Sequence, residues 1–366
     1  MTAFKAKLVD LIGAVGPISV ADYMALCLSD PQHGYYMTRD PFGRDGDFTT
    51  APEISQMFGE LVGAWLIASW RKMGAPKRPA IAEIGPGRGT LMKDVVRSIG
   101  KLDPTLRNEA SFFLVETSDR LAKTQAATLA EVDLTFQWRK SVDELPDDAL
   151  FIVGNELFDA LPMRQYVKTE LGWRERVVAV DDQSDLTFAA GAGSLDEALL
   201  PAAAAAAPNG TIFEIAPART AMMQRIAERI ASSGGAGLFI DYGHGSVSLG
   251  DTLQAVLSHQ FDPPLAHPGQ ADLTSHVDFS ALAQQIERAG MQPFLTTQGD
   301  FLIAMGLLER AGSLGANADE AMRERLREDV NRLAGPAAMG DLFKVLAFLS
   351  NGSVPAGFSL KPKAAS

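Results

Sequence analysis

Ala80-Ile81-Ala82-Glu83-Ile84-Gly85-Pro86-Gly87-Arg88-Gly89-Thr90-Leu91 decides how the rest of the chain is read. A short apolar run ends in an acid, meets three alternating glycines and passes into a helix-compatible segment with Leu91, Met92, Val95 and Val96. The order is strand, tight turn, helix, the unit that opens a nucleotide-type pocket in doubly wound α/β domains. Glycine admits positive φ and lets a ligand come close to the main chain. The helix start beyond it presents N–H groups to an anionic end of that ligand.

The spacing is G-x-G-x-G, because Thr90 stands where a dinucleotide fingerprint needs its last Gly or Ala. Glu83 opposes a pyrophosphate. S-adenosylmethionine carries an ammonium and a sulfonium and no phosphate, so an acid at the mouth suits it. Phe112-Phe113-Leu114-Val115-Glu116 reads as a second strand ending in a second acid, with Glu116 set to take both ribose hydroxyls. The interval from Glu83 exceeds the roughly 20 residues usual for a dinucleotide site, and a longer connection through Asp103-Pro104 accounts for it. A Gly-rich turn alone can simply join a strand to a helix. With both acids in place, Glu83, Gly85, Gly87, Gly89 and Glu116 are the expected donor contacts.

The bulk numbers narrow the class. At 366 residues, with 46% apolar content, the chain suits one elaborated domain or two lobes. Its net charge of −12, from 33 basic and 45 acidic residues without a Lys/Arg run, disfavours nucleic-acid and anionic-membrane binding. The same charge is compatible with a basic protein partner. Cys27 is the single cysteine, which excludes an internal disulfide and a cysteine-based metal cluster. No apolar run approaches the roughly 20 residues that span a bilayer, and the start lacks a signal-peptide pattern. A cytoplasmic protein is expected.

Two helices, Phe4 to Val15 and Val20 to Leu28, open the chain, with Ser19 as an N-cap. The loop from Gly43 to Glu53 then runs into a helical pattern, where Thr50 and Glu53 form a capping box. That loop is either a structural turn or a cover over the ligand. On the second reading Asp47, Phe48 and Thr49 join the donor contacts. After a helix from Asp119 to Leu129 and a strand at Leu134 to Trp138, Leu150-Phe151-Ile152-Val153 reads as a central parallel strand. It ends in Gly154-Asn155-Glu156-Leu157-Phe158-Asp159, whose polar groups face the glycine crevice or else cap a helix. Gln165 to Lys168 and Trp173 to Val180 flank a hairpin turn, an antiparallel insertion. Ala202 to Ala207 reads as a short surface helix. Gly237 to His244 reads as a further buried strand ending in a polar cluster, with Asp241 and Tyr242 at the pocket rim; Met291 to Thr296 and Leu342 to Leu349 supply the last two strands, and residues 300–334 read as helical. The five histidines lack helical metal-pair spacing, so no metal is expected.

Five segments together resemble one family: residues Gly46–Ser55, Glu83–Gly89, Asn155–Pro162, Asp241–Gly243 and Ala271–Phe279. The chain is similar, over almost its whole length, to the MidA-like S-adenosylmethionine-dependent methyltransferases, relatives of a mitochondrial complex I assembly methyltransferase. The resemblance implies a Rossmann-like seven-stranded sheet with an added helical N-terminal region. It also implies a protein arginine as acceptor and a respiratory complex I subunit as partner. The division expected is 1–78 for the N-terminal region and loop and 79–366 for the methyltransferase domain, with insertions near 163–210 and 299–334. With a guanidinium acceptor, Glu156 and Asp159 would orient it and take its proton, and Asn155 would serve the donor side. Glu214 and Asp241 stand in reserve. Two alternatives stay open on the sequence: a non-catalytic assembly chaperone keeping the pocket, and a nicotinamide-dependent oxidoreductase.

Overall fold

A computed structural model of the chain describes residues 2–38 and 50–359. Asp47, Phe48 and Thr49 lie outside the described residues. The chain divides into two units. One comprises Met1–Phe48, Phe158–Ala221 and Ser246–Asp278, and the other Thr49–Leu157, Met222–Gly245 and Phe279–Ser366.

Among the described residues the second unit carries seven strands: β1 (Ala80–Ile84), β2 (Ser111–Val115), β3 (Phe136–Arg139), β4 (Leu150–Asn155), β5 (Gly235–His244), β6 (Phe294–Thr297) and β7 (Phe343–Leu349). Their order across the sheet is β3-β2-β1-β4-β5-β7-β6. The first five are parallel, and β7 runs antiparallel to both β5 and β6. This is the expected Rossmann-like sheet of an α/β protein. Unbroken apolar runs suit strands covered on both faces, and β1 and β4 are buried almost end to end. The chain moves outward from β1 to β3 and then returns to the far side of β1 for β4. That reversal opens a crevice beyond the carboxyl ends of β1 and β4. Ile84 pairs with Gly154, so the glycine turn and Asn155 emerge side by side.

Helices α1 (Gln56–Lys72), α2 (Thr90–Leu102) and α3 (Asp119–Leu129) pack in the same unit. Close approach of α1 to α2 depends on small residues. A Cβ on Gly59 would lie 2.5 Å from Asp94 Cβ, and one on Gly63 2.9 Å from Ser98 Cβ. Trp65, Phe58 and Leu66 of α1 share one apolar core with Val95 and Ile99 of α2. The capping box does not form. Thr50 makes no side-chain cap bond, and Ser55, extended at φ −154°, separates a short turn at Ala51–Ile54 from α1. Glu53 instead accepts a 2.6 Å hydrogen bond from the Thr90 hydroxyl, a partner distant in sequence. Helices Leu307–Gly315 and Glu320–Ala334 fill the region expected to be helical.

In the first unit, helices Ala3–Val15 and Val20–Ser29 are capped by Thr2 and Ser19, whose side chains accept from Lys5 and Asp22 backbone N–H groups. The insertion is antiparallel as expected, with Arg164–Thr169 paired to Gly172–Val180 and further strands at Leu186–Ser194 and Ile212–Ile215. Phe4, Leu8, Tyr23, Met24 and Cys27 bury against Val178, Leu186, Leu253 and Leu273 in one core. Cys27 is a buried thiol that desolvation pushes up to about 12, a structural residue rather than a nucleophile. The alanine tract is the short surface helix expected, of the 3₁₀ kind. It forms a 3₁₀ turn at Ala202–Ala206, with Ala204 buried and the Lys168 ammonium donating to the carbonyls of Ala204 and Ala205.

Candidate active site

The turn after β1 needs its glycines for geometry. Gly85, Gly87 and Gly89 have φ of +66°, +54° and +84°, a region costly for residues with a Cβ. Space is short as well, since a Cβ on Gly85 would stand 3.1 Å from Leu157 Cδ1. Gly89 then caps α2. The carbonyl of Pro86 accepts from Gly89 N–H at 2.7 Å, closing the turn tightly.

Glu83, one residue before the end of β1, is only 2% exposed. Burial pushes its pKa up to about 8, opposed only in part by the Met92 N–H that it accepts. Its Oε2 is buried without a hydrogen-bond partner among the described residues. An unpartnered buried carboxylate oxygen is expensive and calls for an explanation. Glu116 follows β2 at the neighbouring strand end and is also buried. Its Oε1 accepts from Ser118 N–H at 2.7 Å and its Oε2 from the Gln125 amide at 2.9 Å. Desolvation outweighs these bonds and raises its pKa. Each carboxylate oxygen has two acceptor positions, so these bonds leave capacity for a diol.

Asn155 closes β4. Its Nδ2 donates to Glu156 Oε1 at 2.9 Å, while its Oδ1 is buried with no partner among the described residues. Glu156 has φ +51°, unusual for a side chain with a Cβ, and its N–H is held by the Ile240 carbonyl at 2.8 Å. Strain of this kind gathers at functional sites. The structure therefore brings Glu83, the three glycines, Glu116, Asn155 and Glu156 to one edge of the sheet in the second unit.

The other candidates fall differently. Asp159 belongs to the first unit, buried, with Oδ1 accepting from Ala160 N–H at 2.7 Å. Arg219, itself buried, donates to the carbonyls of Asp159, Leu161 and His276 and to the Ser275 hydroxyl. Glu214 is absorbed by the insertion, accepting from Gln165 and from both the N–H and the hydroxyl of Thr252. Asp241 is not on a rim. It is fully buried within β5 and accepts from Tyr242 N–H at 2.9 Å. Gln125, Trp138 and the Glu53–Thr90 pair were not singled out by sequence. A polar residue inside a helix and a tryptophan on an edge strand carry no local signal of a shared role.

These residues fit S-adenosylmethionine. Its ammonium suits the unpartnered carboxylate oxygen of Glu83, its ribose diol suits Glu116, and the glycine turn lacks the side chains that would fill the approach. A phosphate at the same place would meet an acid.

The comparisons agree. Residues 61–297 match the model of Methyltransf_28, a family described as S-adenosyl-L-methionine-dependent methyltransferases. The protein arginine methyltransferase NDUFAF7, mitochondrial, of Bos taurus is 34% identical over 95% of this chain and 84% of its own length. The protein of the same name from Homo sapiens is 35% identical over 94% of this chain and 83% of its own. A COG1565 superfamily member from Burkholderia thailandensis, solved bound to S-adenosyl-homocysteine, superposes with a TM-score of 0.83 at 27% identity, covering 97% of this chain and 94% of that one. The cytoplasmic assignment is corrected by these relatives, which are named mitochondrial. A single buried cysteine speaks against an oxidising secretory route but does not separate one reducing compartment from another. No helix among the described residues is long and apolar enough to cross a membrane. The match also removes the nicotinamide alternative. Sheet order, glycine turn, paired acids and relatives converge, and the chain belongs to the Methyltransf_28 family of S-adenosylmethionine-dependent methyltransferases.

Proposed function

We propose that this enzyme methylates an arginine side chain of a protein partner, a respiratory complex I subunit being the leading candidate. The acceptor class is supported by relatives that carry protein arginine methyltransferase in their names over nine-tenths of this chain. The observation that carries catalysis is the Asn155–Glu156 pair at the end of β4, with a strained backbone and an oriented carboxylate.

The bound donor supplies a methyl group on a sulfonium, and its leaving group needs no protonation. What remains for the protein is alignment and one proton. A guanidinium is protonated in water and its nitrogen lone pairs are delocalised, so an acid must orient it and accept a proton as the new C–N bond forms. Glu156 takes that role here, its Oε1 fixed by the Asn155 amide. Glu83 and Glu116 hold the donor, which supplies most of the rate through positioning.

Glu156→Gln should leave the calorimetric Kd for S-adenosylhomocysteine within about threefold and lower methyl transfer at least 100-fold, roughly the range of a lost general base. The acceptor is sought by incubating the enzyme and labelled donor with a lysate of cells lacking this protein. Unchanged transfer in Glu156→Gln removes Glu156 from the chemistry. Label on lysine or on small molecules alone removes arginine.

A further inference from the structure

Gln125 sits on α3 and is fully buried. Its Oε1 accepts from the Trp138 indole N–H at 2.9 Å. Its Nε2 donates to the Gly87 carbonyl at 2.9 Å and to Glu116 Oε2 at 2.9 Å. An indole N–H can only donate, so Trp138 decides which way round the amide lies. Both remaining amide hydrogens must then face acceptors, and both acceptors belong to the donor pocket. The helix backbone is close too, because a Cβ on Gly89 would lie 3.4 Å from Gln125 Cα. One side chain thus joins the glycine turn to the second acid.

We propose that Gln125 is a positioning residue for the methyl donor, coupling the glycine turn to the ribose-binding acid, with Trp138 setting its orientation. This rests on the reading that Glu116 takes the ribose. Glu116 is held at Oε1 by Ser118 N–H and at Oε2 by Gln125. Two donors on different oxygens fix the carboxylate plane and leave its other acceptor positions paired, as recognition of a vicinal diol requires. Without Gln125 the carboxylate can turn, and the contribution of the diol is what falls. Holding the Gly87 carbonyl also fixes the planar Gly87–Arg88 peptide, and with it the direction of the Arg88 N–H.

The test is calorimetric titration of the full chain with S-adenosylhomocysteine and with its 2′,3′-dideoxy analogue. In the unaltered protein, losing the diol should weaken binding at least about tenfold, the scale of hydrogen bonds to a charged group. Gln125→Met should weaken S-adenosylhomocysteine about tenfold and bring the ratio of the two Kd values close to one. A Kd that rises with the ratio unchanged means a merely structural role and overturns the proposal, as does an unchanged Kd. If Gln125→Met does not fold, Trp138→Phe decides, since it keeps an aromatic side chain on β3 and removes the indole N–H that orients the amide. The ratio should fall there at least about threefold, and an unchanged ratio overturns the proposal. Glu116→Gln separates the two levels. If it keeps the full diol ratio, the ribose reading fails. If it loses the ratio while Gln125→Met keeps it, only the role of Gln125 fails.

Discussion

Glu83→Gln should make the protein more stable and nearly unable to bind its donor. Burial raises the Glu83 carboxyl to about 8 from an ordinary 4.5. A folded-state pKa above the unfolded one means no penalty at low pH, where both states hold the proton. The penalty grows as pH rises past the unfolded value and levels off above the folded one. At pH 7 the interval of about 2.5 units, at 1.36 kcal/mol each, amounts to about 3 kcal/mol that glutamine does not incur. The buried amide gives back about 1 kcal/mol through its imperfectly satisfied N–H groups, leaving a gain of about 2 kcal/mol. Urea denaturation of the enzyme without donor, at about pH 4.5 and about pH 7.5, reads the effect, with the advantage present only at the higher pH. Calorimetry reads the other half: loss of a charged contact to the donor ammonium should raise Kd by about 10–100-fold. Equal destabilisation at both pH values, or an unaltered Kd, would refute the assignment of Glu83 as a buried acid that meets a cation.

Donor binding should also release close to one proton at pH 7, because the arriving ammonium lowers the Glu83 pKa; titrations in two buffers of different ionisation heat measure it, and Glu83→Gln should abolish the difference. Gly63→Ala tests the packing of α1 on α2. Its Cβ would come within 2.9 Å of Ser98 Cβ, so a loss of about 1–3 kcal/mol in denaturation, with little change in donor affinity, is expected.

That the acids and glycines proposed for the donor would meet at one end of the sheet was readable because the determinants are local. Glu83, Gly85, Gly87 and Gly89 follow one another, Glu116 ends the next apolar strand, and the helix at Asp119–Leu129 has the bounds that its pattern suggests. What escaped depends on partners far apart in the chain. Glu53 looks like a capping-box acid until Thr90, 37 residues on, takes its carboxylate. Gln125 and Trp138 gain meaning only when β3 returns alongside β2 and α3 packs nearby. Asp241 reads as a rim acid, yet it is fully buried within β5. The alanine tract favours α-helix by propensity, but Pro201 and Pro208 bound it too closely for more than a 3₁₀ turn.

The interleaving of the two units constrains any attempt to trim this enzyme. Each is stitched from three stretches of polypeptide, so neither can be released intact by a single cut. A fragment beginning at residue 79 would retain every sheet strand from β1 to β7 while discarding Phe4, Leu8, Tyr23 and Met24. Val178, Leu253 and Leu273 would then be stripped of their apolar cover, leaving an aggregation-prone remnant rather than a minimal catalyst.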